Sequence, residues 1–195
     1  VGGGRNYYGE KGDKLTRWGF WGDWDITKDQ DGNKLEQEIE VHGNLQGPMQ
    51  SYTNFGVVHR ETLLDGEYYN ETQYMQYAHF TPKKGIRISG FMRFGKQVDY
   101  SNSQLGDTFY IESYADWKIN QHLGVNFGLR QSRMDVDGGR LYTAGLADLN
   151  MAYQFDMRSR LKLIVQYTDI DRTQALYDGD VDANSKRMST QLLYS

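Results

Sequence analysis

The chain has 195 residues, a formal net charge of −4, no Cys and a mean hydropathy of −0.76. These values exclude a disulfide framework, thiol chemistry and the basic surface that a nucleic-acid partner requires. No apolar run reaches about eighteen residues, so a transmembrane helix is excluded. A strand-built membrane protein is not, because only alternate residues of a barrel strand meet lipid.

Val1 to Lys14 reads as a Gly-rich polar loop or a piece of a preceding strand. From Leu15 to Asp25, Trp18, Phe20 and Trp24 share one parity against Arg17, Gly19 and Asp23, and Trp21 breaks the pattern. After the loop ITKDQDGN, a second strand over Lys34 to Gln46 alternates Leu35, Ile39, Val41 and Leu45 with Glu36, Glu38, Glu40, His42 and Asn44. Gly47-Pro48 marks a turn. A third strand covers about Ser51 to Arg60, and the polar segment Glu61 to Thr72 reads as the link to a fourth over Gln73 to Phe80; the faces of these two are mixed. Beyond the turn TPKKG, Ile86, Ile88, Gly90, Met92 and Phe94 oppose Arg87, Ser89, Phe91 and Arg93. Phe109, Ile111, Ser113, Ala115, Trp117 and Ile119 then oppose Glu112, Tyr114, Asp116 and Lys118. The turn NQH leads to Leu123, Val125, Phe127 and Leu129 against Asn126, Gly128 and Arg130.

The clearest pattern is the hairpin Gly139 to Thr168. Leu141 to Phe155 keeps period two, with Asp148 and Asn150 on the polar parity, and Leu161, Leu163, Val165 and Tyr167 resume it after a short turn at Asp156 to Arg160. A period of two means a strand with two unlike faces. A long acidic loop, about Asp169 to Lys186, precedes a tenth strand with Met188, Thr190, Leu192 and Tyr194. Strands of this length exceed the usual five or six residues of soluble sheets and suit a tilted bilayer crossing. Connections near Gly47, Lys83, Gln121 and Met157 read as short and the intervening ones as long, so short turns share one end and long loops the other, as in outer-membrane barrels.

The expectation is one all-β domain over residues 1–195, an antiparallel up-and-down transmembrane β-barrel with about ten strands visible, forming part of a larger barrel. Leu149, Met151, Leu163, Val165, Ile111, Ala115, Val125 and Phe127 are expected to face lipid. The opposite parity supplies the candidate pore lining: Glu36, Glu38, Glu40, His42, Arg87, Arg93, Glu112, Asp116, Arg130 and Asp148. Glu36, Glu38 and Glu40 stack three carboxylates about 6–7 Å apart and are expected to favour cations; the bland alternative is a salt-bridged interior that satisfies itself.

Asp178, Asp180 and Asp182 form an acidic loop that could hold Ca²⁺, although such runs are more often simply solvated. Asp29, Asp31, Gly32 and Glu38 share part of an EF-hand spacing, but Thr27 stands at its first position and no helices flank it. No other cofactor is indicated. His42, His59, His79 and His122 are scattered, and no nucleophile elbow, zinc-ligand helix or phosphate loop is present. The chain is therefore expected not to be an enzyme.

Several segments carry a resemblance: LTRWGFWGDWDITKDQDGNKLEQE, QLGD before the sixth strand, MDVDGGRLYTA, RSRLKLIVQYTDIDRTQALY and SKRMSTQLLYS. Together they resemble the C-terminal barrel domain of a bacterial outer-membrane family in which a domain similar to carbohydrate-binding family nine modules precedes a barrel of unassigned function. The resemblance covers most of Arg17 to Ser195. It implies a Gram-negative outer-membrane location among lipid and lipopolysaccharide, and a chain truncated at both ends, with a missing domain or partner protein. The charged inward parity, rather than the resemblance, suggests a pore or passive channel, with glycan-derived solutes implied only by the companion domain. The alternatives are a structural anchor for that domain and, third, a membrane-embedded hydrolase.

Overall fold

The computed structural model describes residues 1–195 as one antiparallel sheet of eleven strands in simple sequence order. They are β1 Gly2–Tyr8, β2 Arg17–Lys28, β3 Lys34–Gly47, β4 Ser51–Leu64, β5 Glu67–Lys83, β6 Ile86–Asp99, β7 Gln104–Lys118, β8 Leu123–Val136, β9 Gly139–Gln154, β10 Arg160–Arg172 and β11 Asn184–Tyr194. Each strand pairs with its chain neighbours, and β1 and β11 form the two edges. A single 3-10 turn, Gln174–Leu176, is the sole helical element.

Register makes the two faces continuous. Directly opposed residues of an antiparallel pair point the same way, and Leu163, Met151, Val125, Trp117 and Ile86 form one such row across five strands. Val165, Leu149, Phe127, Ala115 and Ile88 form the next. On the other face, Gln166, Asp148, Gly128 and Tyr114 are aligned, as are Arg130 and Glu112. The apolar face is the open one: Val41 is 58% and Phe20 55% exposed, whereas Glu71 is 3%, His42 6% and Asp148 9% exposed on the polar face. A water-soluble sheet would bury the first set and expose the second. The polar face is thus inward, and the eight residues expected to meet lipid share the outward one.

Five connections, at 9–16, 48–50, 84–85, 119–122 and 155–159, lie at one end of the sheet, called the near rim, and the first of them is eight residues long. Those at 29–33, 65–66, 100–103, 137–138 and 173–183 lie at the far rim. The two groups of turns therefore sit at opposite ends as their order requires, but the expected contrast in their lengths is corrected. Glu61 to Thr72 is not a link. β4 and β5 run on into it and close over Asp65-Gly66, both at positive φ, the signature of a tight hairpin turn. Asp137-Gly138 likewise closes what read as a loop between β8 and β9. Polar composition on both faces resembles loop sequence, yet paired hairpins satisfy the backbone wherever they extend beyond lipid. Only Thr173 to Ala183 is a long far-rim loop.

The N-terminal segment is a strand, making eleven rather than ten. Its three consecutive glycines carry no side-chain pattern, and close packing explains two of them: a Cβ on Gly4 would lie 2.5 Å from the Phe20 carbonyl oxygen, and one on Gly2 2.4 Å from Asp23 Cβ. Pro82, which has no N–H to give a ladder, sits where the β5–β6 register shifts.

Candidate functional site

The ten residues proposed to line a pore all project from the inward face, on β3, β6, β7, β8 and β9. They fall into separate hydrogen-bonded clusters in two regions of the wall, with Arg87 and Arg93 outside them, rather than one continuous lining.

The first group spans β2 to β5. Arg60 on β4 donates from Nε to Glu38 Oε2 at 2.7 Å, and its guanidinium lies 3.9 Å from Glu36 and 3.8 Å from Glu71. Glu71 Oε1 also accepts the Val98 N–H at 2.7 Å. That bond replaces a ladder partner, because β5 no longer pairs with β6 beyond Gln73 opposite Gly95. Gly95 has φ +131°, and a Cβ there would strike the Thr72 carbonyl oxygen at 2.1 Å, so the divergence requires glycine. The glutamate row is thus not a bare stack of charge, which corrects the sequence picture. Arg60 and Glu71 were missed because both fell in or beside the supposed link. Both share the inward parity of Glu38, the signal in the sequence that points to them.

Glu40 belongs to a neighbouring cluster. His42 Nε2 lies 3.1 Å from Glu40 Oε2 and its Nδ1 3.2 Å from Asn54 Oδ1. Trp21 stacks flat on the imidazole, centroids 4.1 Å apart and planes within 3°. The residue that broke the alternation of β2 is therefore an inward aromatic with a partner. Gly56, opposite His42, leaves the ring its space, since a Cβ would come within 2.4 Å of His42 Cε1.

The second group spans β7 to β9. Tyr110 donates to Glu112 Oε2 at 2.7 Å and Tyr114 to the same oxygen at 3.3 Å. Arg130 Nε donates to Tyr114 Oη at 2.7 Å and lies 3.4 Å from Glu112. Asp148 Oδ2 accepts from Asn150 Nδ2 at 3.3 Å, while its Oδ1 is buried without a partner. Asp116 accepts from Asn126 Nδ2 at 2.8 Å. Arg87 and Arg93 share this wall but do not reach the glutamate row; Arg93 Nε is buried without a hydrogen bond.

The metal expectation is corrected at the far rim. Asp178, Asp180 and Asp182 are not gathered into a group able to hold a cation. The loop is tied instead by backbone: Asp178 N donates to Asn102 Oδ1 at 2.9 Å, Thr173 Oγ1 to the Arg140 carbonyl at 2.6 Å, and Gln174 Nε2 to the Val181 carbonyl at 2.7 Å. Val98, Met134 and Leu141, toward the far-rim ends of β6, β8 and β9, are buried. Burial pushes the Tyr177 hydroxyl up from its ordinary pKa, with Arg172 opposing the shift. The EF-hand-like spacing has a local use. Asp29 accepts from Asn33 Nδ2, Asn33 N and Asp31 N at 2.8, 2.8 and 2.9 Å. These bonds, the Asn33 side chain foremost, hold its carboxyl below the ordinary aspartate range.

No family model matches the chain. No curated protein matches it. Among solved structures it is similar to OmpT (in-vitro folded), an outer membrane protein of Vibrio cholerae, with a TM-score of 0.56 and 12% identity over 92% of this chain. The match spans 64% of that chain's length. The similarity shows the fold: an outer-membrane β-barrel architecture, all-β and up-and-down. The expectation that the chain is not an enzyme is corrected on separate grounds. An architecture shared at this identity does not fix a chemistry, and the wall holds His, Glu, Tyr and Arg side chains in hydrogen-bond contact, so the exclusion drawn from scattered histidines and missing motifs is withdrawn.

Proposed function

We propose that this chain forms the wall of a passive solute pore in a Gram-negative outer membrane. The observation that carries the reading is the inversion of burial: charged and hydrogen-bonding side chains are enclosed on one face while Trp, Phe, Val and Leu side chains stand open on the other. Lipid is the solvent that suits the open face, and water the one that suits the enclosed face. Lipid and lipopolysaccharide would then surround the belt. In the resemblance to a barrel domain that follows a carbohydrate-binding-like module, glycan-derived solutes are the suggested cargo.

A structural anchor is the second reading, and one observation favours it. Arg60 with Glu38, and Tyr110, Tyr114 and Arg130 around Glu112, are groups that bond to one another without a solute. The full-length protein reconstituted in a planar bilayer decides between them. Stepwise conductance supports the pore; a silent bilayer, with insertion verified by protease protection, supports the anchor.

A further inference from the structure

Paired and unpaired cations are unevenly distributed along the strands, the two faces taken together. The ion pairs of Lys34, Arg60, Lys96, Arg140 and Lys186 all lie toward the far rim. Toward the near rim, Lys84, Arg87 and Lys118 form no ion pair, although they converge on one cleft of about 710 Å³ between the β5–β6 turn and the end of β7. Thr81 and Asn120 add neutral polar groups to its lining. Its one acid, Asp116, stands opposite Arg87 in register and is engaged by Asn126 at 2.8 Å. Asp156, in the β9–β10 turn of the same rim, is likewise occupied, accepting from the Arg158 and Ser159 amides at 2.7 and 2.9 Å.

The wall beside the cleft continues the same chemistry. Lys118, Gly124, Ala152 and Lys162 lie in one register row across β7 to β10. Two lysines thus flank a floor of small side chains, about 14 Å apart at three strand spacings. A Cβ on Gly124 would meet nothing within 4 Å, so the floor is open.

We infer that this near-rim cleft binds small anionic solutes carrying phosphate or carboxylate groups. Three cations with one occupied acid leave an excess of positive charge in a concave site, where the field is focused. The guanidinium of Arg87 presents a planar fork suited to two oxygens, and the ammonium groups of Lys84 and Lys118 act as point charges beside it. Anionic lipid headgroups offer the same oxygens. Arg87 and Lys118 nevertheless share the face of Glu112 and Asp148, opposite the one read as lipid-facing, and a soluble anion is the occupant that reaches them. The inference deepens the pore reading by giving one mouth a preferred charge.

The test is calorimetric titration of the full-length protein in uncharged detergent with inorganic pyrophosphate, and with glucose as the neutral probe. Saturable pyrophosphate binding and none of glucose is expected, weakened about tenfold or more in K84Q/R87Q/K118Q. Arg87→Lys alone, which keeps the charge but loses the fork, should bind more weakly than the parent and more tightly than the triple variant, which separates loss of charge from loss of fold. Arg140→Gln, at the opposite rim, should leave affinity within about twofold, because a surface pair lies beyond the screening length. Absence of pyrophosphate binding, or equal binding by the triple variant with an unchanged strand spectrum, overturns the inference. So does interaction only with nanodiscs containing phosphatidylglycerol. Pyrophosphate binding by a protein that conducts no current would uphold the site and remove the pore.

Discussion

Glu71 holds two strands and an arginine at once, so its replacement should be costly for reasons that can be separated. Glu71→Ala removes the acceptor of the Val98 N–H and one of the carboxylates around Arg60. An unsatisfied buried donor costs about 1–3 kcal/mol, and denaturant unfolding in detergent should show a loss of that size. Glu71→Gln keeps an oxygen for Val98 and should lose less. Equal losses would mean that charge, rather than the hydrogen bond, sets the value of this position. Asp29 provides a pH-dependent counterpart at the exposed far-rim turn. Its folded pKa is depressed by Asn33, so its contribution is fully present above the ordinary aspartate pKa and is lost as pH falls through the lower folded value. Amide exchange at Asp31 and Asn33 should stay slow at pH values where a free aspartate is already protonated. In Asn33→Ala the onset of fast exchange should move up in pH.

At the scale of the strand, β8 offers the sharpest contrast, because Phe127 faces outward and Asn126, one residue earlier, faces inward. Phe127→Arg should destabilise the inserted barrel by about 2–4 kcal/mol if it lies near the midplane. Asn126→Arg should cost far less, because its side chain enters the polar wall. Similar losses for the two would contradict the assignment of faces. This alternation is readable in the sequence from Ile86 onward, where apolar and polar residues largely take turns over β6 to β10, with exceptions such as Phe91 and Ile164. It was not readable in β1, whose glycines carry no pattern, nor in the far-rim ends of β4 and β5. There both faces are polar, and hairpin pairing rather than burial keeps the chain extended. Trp21 looked like an error in the pattern because its partner His42 lies on the next strand, a relation that only register supplies. The ten wall residues could be chosen by parity alone. Their division into separate self-bonded clusters, and the entry of Arg60, depend on side-chain reach across strands.

For the whole molecule, the separation of charge along the wall has an electrical consequence under the pore reading. Acids gather toward the far rim around Arg60, and unpaired cations toward the near rim around Arg87. A lumen with fixed charges of opposite sign at its two mouths should pass more current in one direction than the other at low salt. The asymmetry should fade as the Debye length shrinks to about 3 Å at 1 M salt. Current–voltage curves at two salt concentrations check this; a symmetric curve at low salt would mean that the two charged regions do not act on the conducting path.

All of these expectations rest on one claim, that the apolar face meets lipid and the polar face meets water. The chain contains no Cys, so single cysteines can be placed along β8 and spin-labelled without background. In reconstituted bilayers, labels at residues 125, 127 and 129 should be relaxed strongly by oxygen, which concentrates in lipid. Labels at 126, 128 and 130 should respond to a water-soluble nickel complex. The account predicts that the two accessibilities alternate out of phase, residue by residue, along the strand. The reverse phase, or uniform access of the water-soluble complex to all six positions, would contradict it.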